Sequence, residues 1–325
     1  MPEISYREAM ARALRETLRE DERAFIIGED IGPYGGSYAV TAGFLDEFGP
    51  SRIVESPISE SGIVGIGTGS AMVGLRPIVE IMTINFSLLA LDQIVNHAAK
   101  IRYMSSGQFS VPVIIRTVTG GGAALAATHS QNLEGWYASV PGLKVVIPAT
   151  PHDALGLFRS VRKEQDPVMF IEHILLYSTR GEVPEDYYEV PVGEANVKRA
   201  GKDFTIIAYS RMVNVALAAA EKLAEEGVDV EVVDLRCLRP WDKETVFESV
   251  KRTGRALVLE EAWQTGAFGG EIASAVQREV FDYLDGPVAR LGGVDVPTPY
   301  SMSLEPLVAP REDSVVKTVR EELGS

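Results

Sequence analysis

Four nearly continuous apolar runs, PIVEIM (77–82), VPVIIR (111–116), LKVVIP (143–148) and PVMFIE (167–172), constrain the fold more than any other feature. A strand with one face in water alternates apolar and polar residues. Runs this continuous fit strands covered on both faces, as in parallel sheets with helices above and below. AFIIG (24–28) extends the set, and helical segments at about 61–73, 86–104 and 152–164 lie between the runs. The first helix is announced by a capping box, Ser5 with Glu8, ahead of Tyr6, Met10, Ala13, Leu14, Thr17 and Leu18 at helical spacing.

Between Gly181 and Lys202 the text GEVPEDYYEVPVGEANVKRAGK holds two prolines, several acids and no sustained period, which marks a crossing between domains. A fresh alternation follows, with strands FTIIAY (204–209), VEVVDL (230–235), RALVLEE (255–261) and VARLG (288–292), and helices 212–226, 242–253, 269–284 and 312–323. The expectation is an α/β protein with domains at 1–185 and 203–325 and an inter-domain segment at 186–202. Each domain is a mostly parallel sheet with helices on both faces. A chain of 325 residues can build two cores of that size. Its net charge of −15 argues against nucleic acid or an anionic membrane as partner. No uncharged stretch approaches the roughly 18 residues of a membrane span. The charged amphipathic start and the single cysteine, Cys237, point to a reducing cytoplasm.

Two segments carry candidate chemistry. PISESGI (57–63) sets the carboxylate of Glu60 between two hydroxyls at the mouth of a glycine-rich helix. TVTGGGAALAATHSQ (117–131) is a glycine-rich loop after a strand, so His129 is expected to face a cleft. Gly62, Gly65, Gly67, Gly69 and Gly74 do not form a dinucleotide fingerprint, because the third glycine falls on Ser70 or Met72 depending on the start. Glycine and alanine on this helix instead suit close approach of another backbone, as at a subunit interface. P-loop, zinc-ligand and G-x-S-x-G patterns are absent. Taken singly, Glu60 reads as a first-turn helix acid and Met82 and Phe86 as core residues.

Taken together with MTINFS (82–87), LDQIVNHAAKIRYMSSG (91–107) and PGLKVVIPATPHDA (141–154), the two segments resemble the β subunit of thiamine-diphosphate-dependent 2-oxo acid dehydrogenases. LRCLRPWD (235–242), LEEAWQTGAFGGEIA (259–273) and GVDVPTPYSMSLE (293–305) are similar to that family's C-terminal domain. The resemblance implies two transketolase-like domains. It assigns Glu60 to the aminopyrimidine ring nitrogen of thiamine diphosphate, with Ile58, Met82 and Phe86 as apolar contacts. Leu89 stands where pyruvate-type relatives can carry glutamine. His129 is implied to pass a proton to the opening sulfur of a lipoyl group.

The family's Gly-Asp-Gly motif for diphosphate and Mg2+ occurs nowhere in this chain, so those ligands are expected from an α subunit in an α2β2 assembly. Val113, Val161, Arg162, Glu164 and Asp166 match the family's monovalent cation (K+) positions; RKEQDP reads equally as a solvated turn. A lipoyl acyltransferase is the second implied partner, with Glu312, Asp313, Glu321 and Glu322 as candidate docking acids. The implied reaction is oxidative decarboxylation of a 2-oxo acid with acyl transfer to lipoyl groups. MTINFS is nearer the pyruvate type than the branched-chain type. Acetoin-cleaving relatives share nearly all these motifs. A non-catalytic assembly subunit is the rival of a different class, and the presence of both Glu60 and His129 argues against it.

Overall fold

A computed structural model describes residues 1–324. Contacts divide them into two compact units, one of Met1–Thr119 with Tyr137–Val192, the other of Gly120–Trp136 with the chain from Gly193 onward. The expected boundaries do not anticipate that the loop at 120–136 is grouped with the second unit.

The first unit opens with a short strand, β1 (Glu3–Ser5), and a helix, α1 (Tyr6–Glu20), whose capping box is present. Its further elements are β2 (Ala24–Gly28), α2 (Phe44–Phe48), β3 (Ile53–Glu55), α3 (Glu60–Met72), β4 (Arg76–Ile81), α4 (Ile101–Met104), β5 (Ile114–Thr119), α5 (Glu134–Ala138, at the unit boundary), β6 (Lys144–Val146), α6 (Pro151–Val161), β7 (Val168–His173) and β8 (Arg180–Glu182). Six strands run parallel in the order β6-β7-β5-β4-β2-β3, while β1 and β8 form a separate antiparallel pair. Every residue of β5 and β7 is buried, as the continuous apolar runs require.

One detail of the first unit differs from the sequence reading. The segment expected as one helix over 86–104 is a 3-10 turn (Phe86–Ala90), a π-helix (Gln93–Ala98) and α4. The wide turn lies beside α3, where a Cβ on Gly65 would come within 3.5 Å of Gln93 Oε1. At Gly67 a Cβ would lie 2.4 Å from Val79 Cγ2, so this glycine lets α3 settle onto β4 of the same chain.

The second unit contains β9 (Asn196–Arg199), β10 (Phe204–Ala208), α7 (Arg211–Glu225), β11 (Val230–Asp234), β12 (Cys237–Arg239), α8 (Lys243–Thr253), β13 (Ala256–Trp263), α9 (Gly269–Glu279), β14 (Ala289–Gly293) and α10 (Glu312–Leu323). Its sheet order is β14-β13-β10-β11-β9, parallel except for the antiparallel edge strand β9. Helix α7 packs against α10, and α8 against α9.

The first sheet carries charge in its core. Arg116 on β5 is opposite Glu80 on β4 and pairs with Glu80 and with Glu172 on β7, all three being buried. Its guanidinium also donates to Tyr177 Oη at 3.2 Å. Burial alone would lower the pKa of Arg116, but the charges of Glu172 and Glu80 hold it well above its usual value. Burial pushes the Glu172 carboxyl up, and Arg116 opposes that shift. Removing one member of such a group leaves uncompensated buried charge, which costs about 3–5 kcal/mol. Arg116→Leu is therefore expected to lower the stability of the first unit by about that amount in urea unfolding of the isolated chain. A loss under about 1 kcal/mol would show that the two carboxylates find other partners.

Candidate active site

Three adjacent parallel strands, β4, β2 and β3, deliver the first group of candidate residues from their carboxyl ends, where ligands bind in open parallel sheets. Beyond β3, α3 begins at Glu60, so this carboxylate sits at the positive end of a helix dipole. Glu60 is only 5% exposed and accepts no hydrogen bond from the described residues. Beyond β2 lies a second acid, Glu29, which the sequence reading missed. Burial first and the charge of Glu60 second push the Glu29 carboxyl above its usual range, against one hydrogen bond from the Ser59 amide. The Oε1 atom of Glu29 is buried without a hydrogen-bond partner.

Beyond β4 come Met82 and Phe86, both half-buried. Thr83 Oγ1 donates to Asn85 Oδ1 at 2.6 Å, and the Ile84 amide donates to Val118 O at 2.8 Å, which ties the turn to the end of β5. Ser87 Oγ lies 2.5 Å from both Ile84 O and the Tyr137 hydroxyl. Burial pushes that phenol up to about 12. Asn85 Nδ2 is buried with no partner among the described residues. Ile58, two residues before Glu60, is 81% exposed, and Leu89 is 66% exposed, both large apolar side chains left uncovered. Unpaired buried polar atoms next to open apolar surface fit a flat ring with polar edges. The aminopyrimidine of thiamine diphosphate has that character.

The loop bearing His129 belongs to the second unit and is described apart. His129 is exposed, its Nδ1 lies 2.9 Å from Thr128 Oγ1, and its amide donates to Ala126 O at 3.2 Å. Ala124 and Ala126 are left-handed, with φ of 54° and 65°, a conformation alanine rarely adopts.

At the expected K+ positions the donors are already engaged. Glu164 pairs with Lys144, and Asp166 with Arg102 at 2.7 Å. Arg162 is a cation in its own right, paired with Glu20 at 2.6 Å. The carbonyl of Glu164 accepts from Arg76 at 2.6 Å, that of Val161 from the Glu164 amide at 3.0 Å, and that of Val113 from Val168 at 3.0 Å. Among the described residues no group of three or more His, Cys, Asp or Glu could hold a metal ion.

Comparison with known proteins places these features in a lineage. Residues 2–179 match the transketolase pyrimidine-binding domain and residues 193–315 the transketolase C-terminal domain. The chain is 46% identical over 321 residues to the pyruvate dehydrogenase E1 component subunit beta of Rhizobium meliloti, spanning 98% of this chain and 70% of that one. The chain belongs to the E1 β-subunit family.

Other members of the E1 β-subunit family are similarly near. Pyruvate dehydrogenase E1 subunit beta-2, mitochondrial, of Oryza sativa subsp. japonica is 45% identical over 322 residues, covering 98% of this chain and 86% of its own. The subunit beta of Rickettsia felis is 43% identical over 318 residues, covering 98% of each chain. Among solved structures, an inactive β4 tetramer of a split-gene transketolase matches with a TM-score of 0.79 at 25% identity, covering 98% of this chain and 97% of that one. The family is thiamine-diphosphate-dependent, as the resemblance implied. No helix of the described residues is long and apolar enough to cross a membrane. Of the four candidate docking acids on α10, Glu312 and Asp313 pair with Lys222 at 2.7 and 3.0 Å, and Glu321 lies 3.7 Å from Lys317.

The raised Glu29 pKa has a pH signature. A carboxyl whose folded pKa is raised stabilises the fold below the unfolded value near 4.5 and loses that contribution as pH rises through the folded value. Glu29→Gln in the isolated chain should therefore match wild type in Tm below pH 4.5, exceed it by a growing margin as pH rises through the folded value, and keep a constant lead beyond it. Parallel Tm-against-pH curves would show that the Glu29 carboxyl is not raised in the folded chain.

Proposed function

We propose that this chain supplies the pyrimidine-binding half of the active site in a pyruvate-decarboxylating E1 assembly, with an α subunit supplying the diphosphate and Mg2+ ligands in an α2β2 tetramer. The observation that carries the reading is Glu60: a buried carboxylate without a protein partner, flanked by uncovered apolar surface, in a chain 45% identical over 98% of its length to a pyruvate dehydrogenase E1 β subunit. The lack of a Gly-Asp-Gly motif supports the division of labour, since Mg2+ needs oxygen ligands in near-octahedral array.

When bound, thiamine diphosphate supplies the electron sink for loss of carbon dioxide. Glu60 would hold a proton at the pyrimidine ring nitrogen. Phe86 and Met82 would pack on the ring, and Ile58 would exclude water from the same edge, strengthening the hydrogen bond to Glu60. His129 donates a proton to the sulfur released when the dithiolane of a lipoyl acyltransferase opens.

Two variants separate these roles, each in the tetramer reconstituted with an α subunit. Glu60→Gln keeps the shape of the side chain but removes the acid. Hydrogen–deuterium exchange at the reactive thiazolium carbon should slow by about 10²–10⁴-fold. Exchange at the wild-type rate would reduce Glu60 to a helix-terminus acid.

His129→Ala should retain much of the activity with an artificial electron acceptor while losing on the order of a hundredfold in acylation of a lipoyl domain. An equal fall in both assays would move His129 to cofactor or substrate binding.

A further inference from the structure

The glycine-rich loop is fastened at both ends by side chains of the second unit. Near its start, the Gly122 amide donates to Glu305 Oε1 at 2.8 Å and the Ala124 amide to Glu305 Oε2 at 2.9 Å. One carboxylate thus uses both oxygens on two loop amides. Glu305 is itself buried, at the first position of a 3-10 turn (Glu305–Leu307) whose main chain anchors it through a bond from its amide to Ser301 O at 2.9 Å. The neighbouring Gly121 amide donates to Glu261 Oε1 at 3.2 Å, and Glu261 is braced by Arg211, also at 3.2 Å. At the far end, Thr298 Oγ1 donates to Ser130 O at 3.2 Å. Between these fastenings lie the two left-handed alanines and His129.

A left-handed alanine persists only where its surroundings over-determine it. At Ala124 the bond to Glu305 is what fixes the peptide. The chain then reaches left-handed Ala126, whose carbonyl receives the His129 amide at 3.2 Å. Five residues of backbone thus connect the main chain at His129 to a carboxylate that is 181 positions from Ala124 in sequence.

We propose that Glu305 is a positioning residue for acyl transfer: its carboxylate, bonded to the Gly122 and Ala124 amides, holds the loop in the one conformation that presents His129. The inference rests on the reading of His129 as the proton donor in that step. Glu305 touches neither substrate nor cofactor in this role. Its effect is to spare the loop the ordering that each turnover would otherwise require.

Glu305→Gln is the discriminating substitution. It preserves volume and one acceptor but sets an NH2 donor against an amide donor, so one of the two loop bonds is lost. In the tetramer reconstituted with an α subunit, amide exchange of a peptide covering 120–132 should accelerate on the order of tenfold to a hundredfold. The ratio of lipoyl-domain acylation to decarboxylation with an artificial acceptor should fall about tenfold. In a His129→Ala background the same change should have no further effect on acylation, because Glu305 acts through His129. Unaltered exchange in the loop, an equal fall in both half-reactions, or additive losses in the double variant would each overturn the proposal. If Glu305→Gln does not assemble, Thr298→Val, which removes only the hydroxyl at the other end of the loop, must show the same acceleration and the same selective loss for the proposal to stand. Should His129→Ala alone leave lipoyl acylation intact, the role given to His129 fails, while loop exchange still decides whether Glu305 holds the loop.

Discussion

The buried guanidinium of Arg116 is the constraint on which the first unit depends. It joins β4, β5 and β7 through Glu80 and Glu172, and two of these strands, β4 and β5, run out within a few residues into a segment of interest. Glu80 is two residues before Met82, and Arg116 four before the glycine-rich loop begins at Gly120. A slip of one residue in a parallel pairing would turn these charges to the opposite face, where no partner waits. The ion cluster therefore fixes register near the carboxyl ends of the strands. Such a cluster contributes less to net stability than an apolar core of equal volume would. Its value lies in permitting one pairing and penalising the others.

The same economy governs the acids around α3. Glu60 and Glu29 bring like charges together, and burial adds to the charge of Glu60 in raising the Glu29 carboxyl. An arrangement that is unfavourable in the free chain is the kind found where a ligand or a partner subunit is to complete the surroundings. Exposed Ile58 beside buried Glu60 has the same character.

Much of this was legible in the residues. Continuous apolar runs gave the parallel strands because burial on both faces leaves no room for polar alternation. The order of PISESGI, MTINFS and THSQ pointed to the family, and with it to Glu60 and His129. The charges at Glu80, Arg116 and Glu172 were hidden for the same reason the strands were visible: each ends or interrupts an apolar run, and only strand pairing reveals that they meet. Glu29 sits in a plain GED triplet whose meaning depends on a helix thirty residues later. The helix expected over 86–104 failed because its apolar spacing is helical overall, while the local choice among 3-10, π and α winding is set by packing on α3. Glu305 could not have been found from the motif in which it lies, since its partners are backbone amides, which carry no sequence signature.

The left-handed alanines at 124 and 126 have a consequence for how this chain could change over time. Glycine at either position would remove the steric conflict and is one mutational step from any GCN codon. It would also widen the range of shapes open to the loop before and after folding. Alanine thus keeps a local conformational penalty in place in return for a narrower ensemble. A lineage selected only for heat resistance would drift toward relief of that penalty, and one selected for turnover would resist it.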